Sequence, residues 1–172
     1  PEHIHITDNA VMNSLILRAV YEHRVKDFVY LSCSTMYPPD LGHPATENDV
    51  DYDAILPAYF ACAWTKLGTE KQCESYSRLG RTRFTIARHS NIYGPHDRFD
   101  LAHSHVLGAT ITKAMTSTNG QLRVWGTGEE KRDLLYITDL VDFVVAALAE
   151  PPPAFEIYNV GAGRAITIRE LA

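Results

Sequence analysis

The sequence predicts an α/β protein built on an open parallel sheet with helices as its crossovers. Two features carry that reading. Stretches with apolar residues every three or four positions alternate with short apolar runs rich in β-formers, and the connections between them are short. Asn9 to His23 places Val11, Met12, Leu15, Ile16, Ala19 and Val20 at helical spacing, and Phe28 to Leu31 reads as a strand buried on both faces. Pro38, Pro39 and the polar, acidic run from Gly42 to Asp53 read as a loop. Tyr59 to Arg78 is helical again with Gly80 as its stop, and Phe84 to Ala87 is a second buried strand. After Tyr93-Gly94-Pro95 the character changes. A helix is expected over Ser104 to Thr116, a strand over Gln121 to Trp125 and an extended run over Leu134 to Ile137. Thr138 and Asp139 are placed to cap a helix through Leu148, which Pro151-Pro152-Pro153 stops. Ile157 to Val160 is a further strand, and Thr167 opens a last helix.

Composition narrows the classes of function. The chain has 172 residues, 45% of them apolar and 22% charged, with a net charge of −5. That balance gives no support for nucleic-acid binding, although a small anionic ligand needs only two or three local cations. No apolar stretch is long enough to read as a membrane span, and no leader pattern precedes the first helix. Three cysteines, Cys33, Cys62 and Cys73, are too few and too far apart for a disulfide framework, so a cytoplasmic location is expected.

Ligands of open α/β sheets sit beyond the carboxyl ends of the strands. Four segments there carry chemistry. Ser32-Cys33-Ser34-Thr35 offers hydroxyls and thiols to a substrate oxygen. Lys66 shares a helical face with Cys62, about 6 Å along the axis. Asn91-Ile92-Tyr93-Gly94-Pro95-His96-Asp97 joins turn formers to a histidine suited to proton transfer. Val124-Trp125-Gly126-Thr127-Gly128, with Arg132 beyond it, combines a close-approach backbone, an aromatic face and a guanidinium, which suits a nucleotide diphosphate. Each segment has a plainer reading as a turn or a solvated side chain; their order is more specific than any one of them. His96, His103 and His105 fit no familiar zinc spacing, so no metal is expected.

In that order the segments resemble the extended short-chain dehydrogenase/reductases that act on nucleotide sugars. The likeness is carried by Leu31 to Pro38, Cys73-Glu74-Ser75-Tyr76, Tyr93 to Asp97, Ser104-His105-Val106, Val124 to Gly128 and Tyr158-Asn159-Val160-Gly161. The resemblance implies that residues 1–95 are the C-terminal part of a Rossmann-like, doubly wound parallel sheet on the cofactor side. Residues 96–172 would be part of a smaller α/β substrate-binding lobe. It further implies hydride transfer at the sugar C4, with NADP as cofactor (NAD being possible), a nucleotide-diphosphate sugar as substrate, and a homodimer formed through the helix carrying Lys66. By the same resemblance Lys66, Cys62, Cys33, Ser34, Thr35 and His96 stand at catalytic positions. Ser32, Lys66 and Asn91 stand at cofactor positions, and Asn91, His105, Trp125 and Arg132 at substrate positions. The subgroup most resembled converts GDP-4-keto-6-deoxy-mannose by epimerisation and reduction.

Three departures from the family pattern matter. No Gly-x-x-Gly-x-x-Gly turn follows a strand in these residues, so a longer parent carrying that turn is expected, and tight nicotinamide binding by the 172 residues alone is not. The tyrosine expected four residues before Lys66 is Cys62, and Tyr59 lies seven before it, about 10.5 Å along the axis. Cys33 stands where the family has its catalytic Ser/Thr, and Thr35 where the subgroup has a cysteine. The resemblance then implies that Cys33 and Cys62 converge on one substrate oxygen as a reduced pair open to oxidation. A non-catalytic or impaired nucleotide-sugar-binding relative, or another NAD-dependent sugar epimerase or dehydratase, is the alternative.

Overall fold

The structure, a computed structural model, describes residues 2–172 and divides them into two compact units. The first runs to His89 and takes up Asp142–Val160; the second holds Ser90–Val141 and Gly161–Ala172.

In the first unit, β1 (Asp27–Leu31), β2 (Arg83–His89) and β5 (Phe155–Val160) form a parallel sheet in the order β1-β2-β5. Its crossovers are helical, as the alternating pattern predicts: α1 (Glu2–Glu22) precedes β1, and α2 (Phe60–Ser77) joins β1 to β2. The central strand is the most apolar and the most buried, with Phe84, Ile86 and Ala87 wholly inaccessible. Leu17 and Val20 of α1, Cys73 of α2 and Tyr30 of β1 close one core over Phe84 and Ile86. A second cluster, Met36, Ile55, Ala63 and Leu67, fastens the long loop after β1 onto α2.

The second unit contains β3 (Asn91–Tyr93) parallel to β4 (Lys131–Tyr136), and β6 (Ala165–Thr167) antiparallel to β4. Its helices are α3 (Val106–Thr116) and α5 (Ile168–Leu171), while α4 (Ile137–Ala149) starts in this unit and ends in the first. Thr167 caps α5 through a reciprocal pair: its hydroxyl accepts from the Glu170 N–H, and the Glu170 carboxylate accepts from the Thr167 N–H. Among the described residues no helix is long and apolar enough to cross a membrane.

Four local expectations are corrected. The strand expected over Gln121 to Trp125 is irregular chain. Side chains occupy its carbonyls in place of a neighbouring strand: Ser117 donates to Gln121 O at 2.9 Å and Lys113 Nζ to Arg123 O at 3.2 Å. Helix α1 starts well before Asn9, where the helical spacing was read to begin, and the Asn9 amide donates back to His5 O at 2.7 Å. Most of the apolar stripe of α1, all but Val20, is also turned outward. Val11, Met12, Leu15 and Ile16 are 42–58% exposed, because Asn13, Leu17 and Val20 supply the inward face. Finally, Thr138 and Asp139 lie inside the first turn of α4, where the Asp139 carboxylate favours the positive helix end.

Candidate active site

The end of β1 and the first turns of α2 bring one group of candidates together. Helix α2 enters through a 3₁₀ turn, Pro57–Tyr59, that starts on a proline, so Tyr59 sits outside the α-helix proper. Cys62 then faces the chain leaving β1. Its thiol lies beside that of Cys33, and Cys33 Sγ lies 2.9 Å from Thr35 Oγ1. One turn further along α2, Lys66 Nζ donates to the Leu31 carbonyl at 2.6 Å and lies 4.9 Å from the centre of the Tyr30 ring. The two thiols differ electrostatically. The hydrogen bond from Cys33 draws the Cys62 pKa down from 9.0 to about 6, against the effect of burial and with help from the Lys66 charge. The same hydrogen bond, followed by burial, pushes Cys33 upward. The pair is thus biased toward a thiolate on Cys62, the more exposed sulfur.

Ser32 is buried and faces elsewhere. Its hydroxyl donates to Glu70 Oε1 at 2.5 Å, while its N–H donates to Ala87 O at 2.8 Å. Ser34 contributes its carbonyl to a turn, accepting from the Tyr37 N–H at 3.2 Å.

Sequence reasoning missed the polar network that fixes this end of the sheet. Arg88 makes two hydrogen bonds to the Glu70 carboxylate, at 3.1 and 2.7 Å, with both side chains at most 5% exposed. Arg88 Nη1 also donates to the Tyr37 hydroxyl and to Glu47 O, each at 2.9 Å. Tyr37 in turn donates to Asn159 Oδ1 at 2.6 Å, and the Asn159 N–H donates to the Glu47 carboxylate at 2.6 Å. Burial works against the Arg88 charge, yet its bonds to Glu70 and Tyr37 outweigh that, and the guanidinium is held all the more firmly protonated. A signal was present in the sequence. Arg88 ends an otherwise apolar buried strand, and a charge in that place needs a partner; Glu70 lies one turn beyond Lys66 on α2.

The second group belongs to the other unit. Asn91 donates to Asp133 O at 3.3 Å from β3. His96 adopts a positive φ of 68° in the turn after Gly94. Gly94 is required by packing, since a Cβ there would meet Ile137 Cγ2 at 2.5 Å. His105 is the N-cap residue of α3 but makes no side-chain cap bond. Trp125 is 76% exposed, with Lys113 Nζ 4.7 Å from its ring centre, and Arg132 on β4 donates to the Lys131 carbonyl at 2.7 Å. Asp133, beside Arg132, accepts from the Ser90 hydroxyl and from the N–H groups of Ala162 and Gly163, which pins the turn before β6. An apolar cavity of about 390 Å³ lies among Tyr93, Pro95, Phe99, Leu107, Ile111 and Tyr136. Among the described residues no cluster of three or more His, Cys, Asp or Glu side chains is arranged to hold a metal.

The chain belongs to the NAD dependent epimerase/dehydratase family, whose model matches residues 2–161. It is similar to a GDP-L-fucose synthase of Sinorhizobium fredii, 32% identical over 97% of this chain and 54% of that protein. GDP-L-fucose synthase 1 of Arabidopsis thaliana is 31% identical over 95% of this chain and 51% of that protein. The chain thus spans about half the length of the curated relatives it matches. Among solved structures, a GDP-L-fucose synthetase from Naegleria fowleri shares the fold with a TM-score of 0.83, at 22% identity over 99% of this chain and 55% of that one.

Proposed function

We propose that the chain supplies the proton-donor and sugar-binding residues of a nucleotide-sugar epimerase/reductase acting on a GDP-4-keto-6-deoxy-mannose-type substrate. The observation that carries this reading is the meeting of Lys66, Cys62 and Cys33 at the carboxyl end of β1, where Lys66 Nζ grips the Leu31 carbonyl. The likeness to proteins named GDP-L-fucose synthase supports the choice of substrate. The cofactor side, expected over residues 1–95, corresponds in this reading to the first unit, which also takes up Asp142–Val160, and the substrate side to the second.

A nicotinamide, NADP by preference, supplies hydride at the sugar C4 when bound. Lys66 is the residue here fitted to hold its ribose, since its ammonium is only half-buried and keeps donors beyond the one given to Leu31. Ser32 does not fit direct contact, because its hydroxyl is committed to Glu70; it braces the strand end from behind. Asn91 would contribute its amide where the bond to Asp133 O yields. Cys62 stands at the proton-donor position and Thr35 and Ser34 offer hydroxyls to the substrate oxygen. His96 serves as acid/base for epimerisation, with His105, Trp125 and Arg132 on the sugar and diphosphate.

A thiol is shorter than a phenol, and at Cys62 it is biased toward the thiolate, which has no proton to give. Reduction is therefore slow in this reading. Cys62→Tyr in the whole protein should raise reduction of GDP-4-keto-6-deoxy-mannose by NADPH about a hundredfold, the lower range of what a positioned acid contributes. An unchanged rate would remove Cys62 from the proton-donor position.

The exposed apolar side chains of α1, with Phe60 and Trp64 of α2, support a homodimer through these helices. The small number and wide spacing of the cysteines support a reducing, cytoplasmic setting.

A further inference from the structure

The thiol pair has a chemistry of its own that does not depend on the sugar reaction. Cys62 is exposed on the first turn of α2. Cys33 lies beside it, partly buried against Met36, Ile55, Ala63 and Leu67, the last two on the same helix as Cys62. Thr35 Oγ1 holds Cys33 Sγ at 2.9 Å, and the loop carrying both is fastened to α2 by that same apolar cluster. Lys66 places a positive charge one turn from Cys62. The third cysteine, Cys73, is wholly buried in the other core.

We infer that Cys62 and Cys33 form a thiol–disulfide exchange site for low-molecular-weight disulfides, with Cys62 as the attacking sulfur and Cys33 as the resolving one. Three properties meet in Cys62 alone: access, a nearby cation and a neighbouring second thiol. Its bias toward the thiolate fits that role. In the first step the Cys62 thiolate attacks one sulfur of a disulfide RSSR. The S–S bond breaks, a Cys62–SR bond forms, and RS⁻ leaves with the electron pair and takes a proton from water. Cys33 then attacks the Cys62 sulfur, forming the Cys33–Cys62 bond and expelling the second RS⁻, which takes up the Cys33 proton. Counting the proton that Cys62 gave to water on ionising, the protein loses two electrons and two protons, and RSSR becomes two RSH. The apolar cluster that seats Cys33 includes Ala63, the residue after Cys62, so the second step joins side chains held in one neighbourhood of α2.

The test treats the native protein with glutathione disulfide and follows intact mass and peptide linkage. The wild type should lose two hydrogens, retain no glutathione and yield a peptide joining Cys33 to Cys62, with Cys73 still free. Cys33→Ser should stop at one glutathione on Cys62. Cys62→Ser should react at Cys33 at least about tenfold more slowly than the wild type reacts at Cys62. A mixed disulfide that persists on wild-type Cys62, first attack at Cys73, or equal rates in the two serine variants would each overturn the inference. The wild-type linkage decides the matter by itself if either variant does not fold.

Discussion

Cys62 and Arg88 show how single side chains set the behaviour of this strand end. Cys33 is the largest influence on the Cys62 thiol, ahead of Lys66. A lowered pKa means that the thiolate fraction in the folded protein rises at lower pH than in an unfolded chain, where thiols titrate near 8.5. The rate of Cys62 alkylation should therefore climb through about pH 6 and level off by neutrality. Replacing Cys33 with alanine should move that rise to higher pH by more than Lys66→Met does, and a rise at the ordinary thiol pH in the wild type would refute the pairing. At Arg88 the issue is burial. Removing one partner leaves the other charged in a site closed to water, so Glu70→Gln or Arg88→Met should each lower stability by about 3–5 kcal/mol in urea unfolding. The double variant should lose less than the two losses added, because the orphaned charge is gone. Additive losses would mean the pair is not coupled.

Elements were legible from the sequence where apolar periodicity and burial agree. The run Phe84-Thr85-Ile86-Ala87 sits at the centre of the sheet, and both its identity as a strand and the helices flanking it could be read directly. Periodicity failed on α1, where the strongest apolar stripe faces out; a helix has two sides, and the pattern does not say which one the sheet takes. It failed again at Gln121 to Trp125, where strand-like residues are held by side-chain donors from neighbouring positions. The chemistry at the end of β1 was legible as residue types, whereas the Glu70–Arg88 network was not, since it joins residues of α2 and β2 that meet only through the fold. The outward stripe of α1 makes its own prediction. Leu15 is 58% exposed, so Leu15→Glu should change stability by no more than about 0.5 kcal/mol while weakening self-association in sedimentation. A wild type that sediments as a monomer at the same concentrations would contradict the proposed dimer.

At the scale of the whole molecule, each unit contributes a different kind of residue to the proposed activity. The first carries the thiols and Lys66 on a buried parallel sheet; the second carries Asn91, His96, Trp125 and Arg132 on turns and short strands that Asp133 helps to pin. The central claim is that these residues serve a nucleotide-diphosphate sugar, and the cation proposed to meet the diphosphate is Arg132. Calorimetric titration of the whole protein with a GDP-linked hexose, beside its Arg132→Ala variant, tests this most directly. Loss of a charge-assisted contact of about 1.5–3 kcal/mol predicts an affinity lower by roughly tenfold to a hundredfold in the variant. Equal affinity in the two proteins would contradict the assignment.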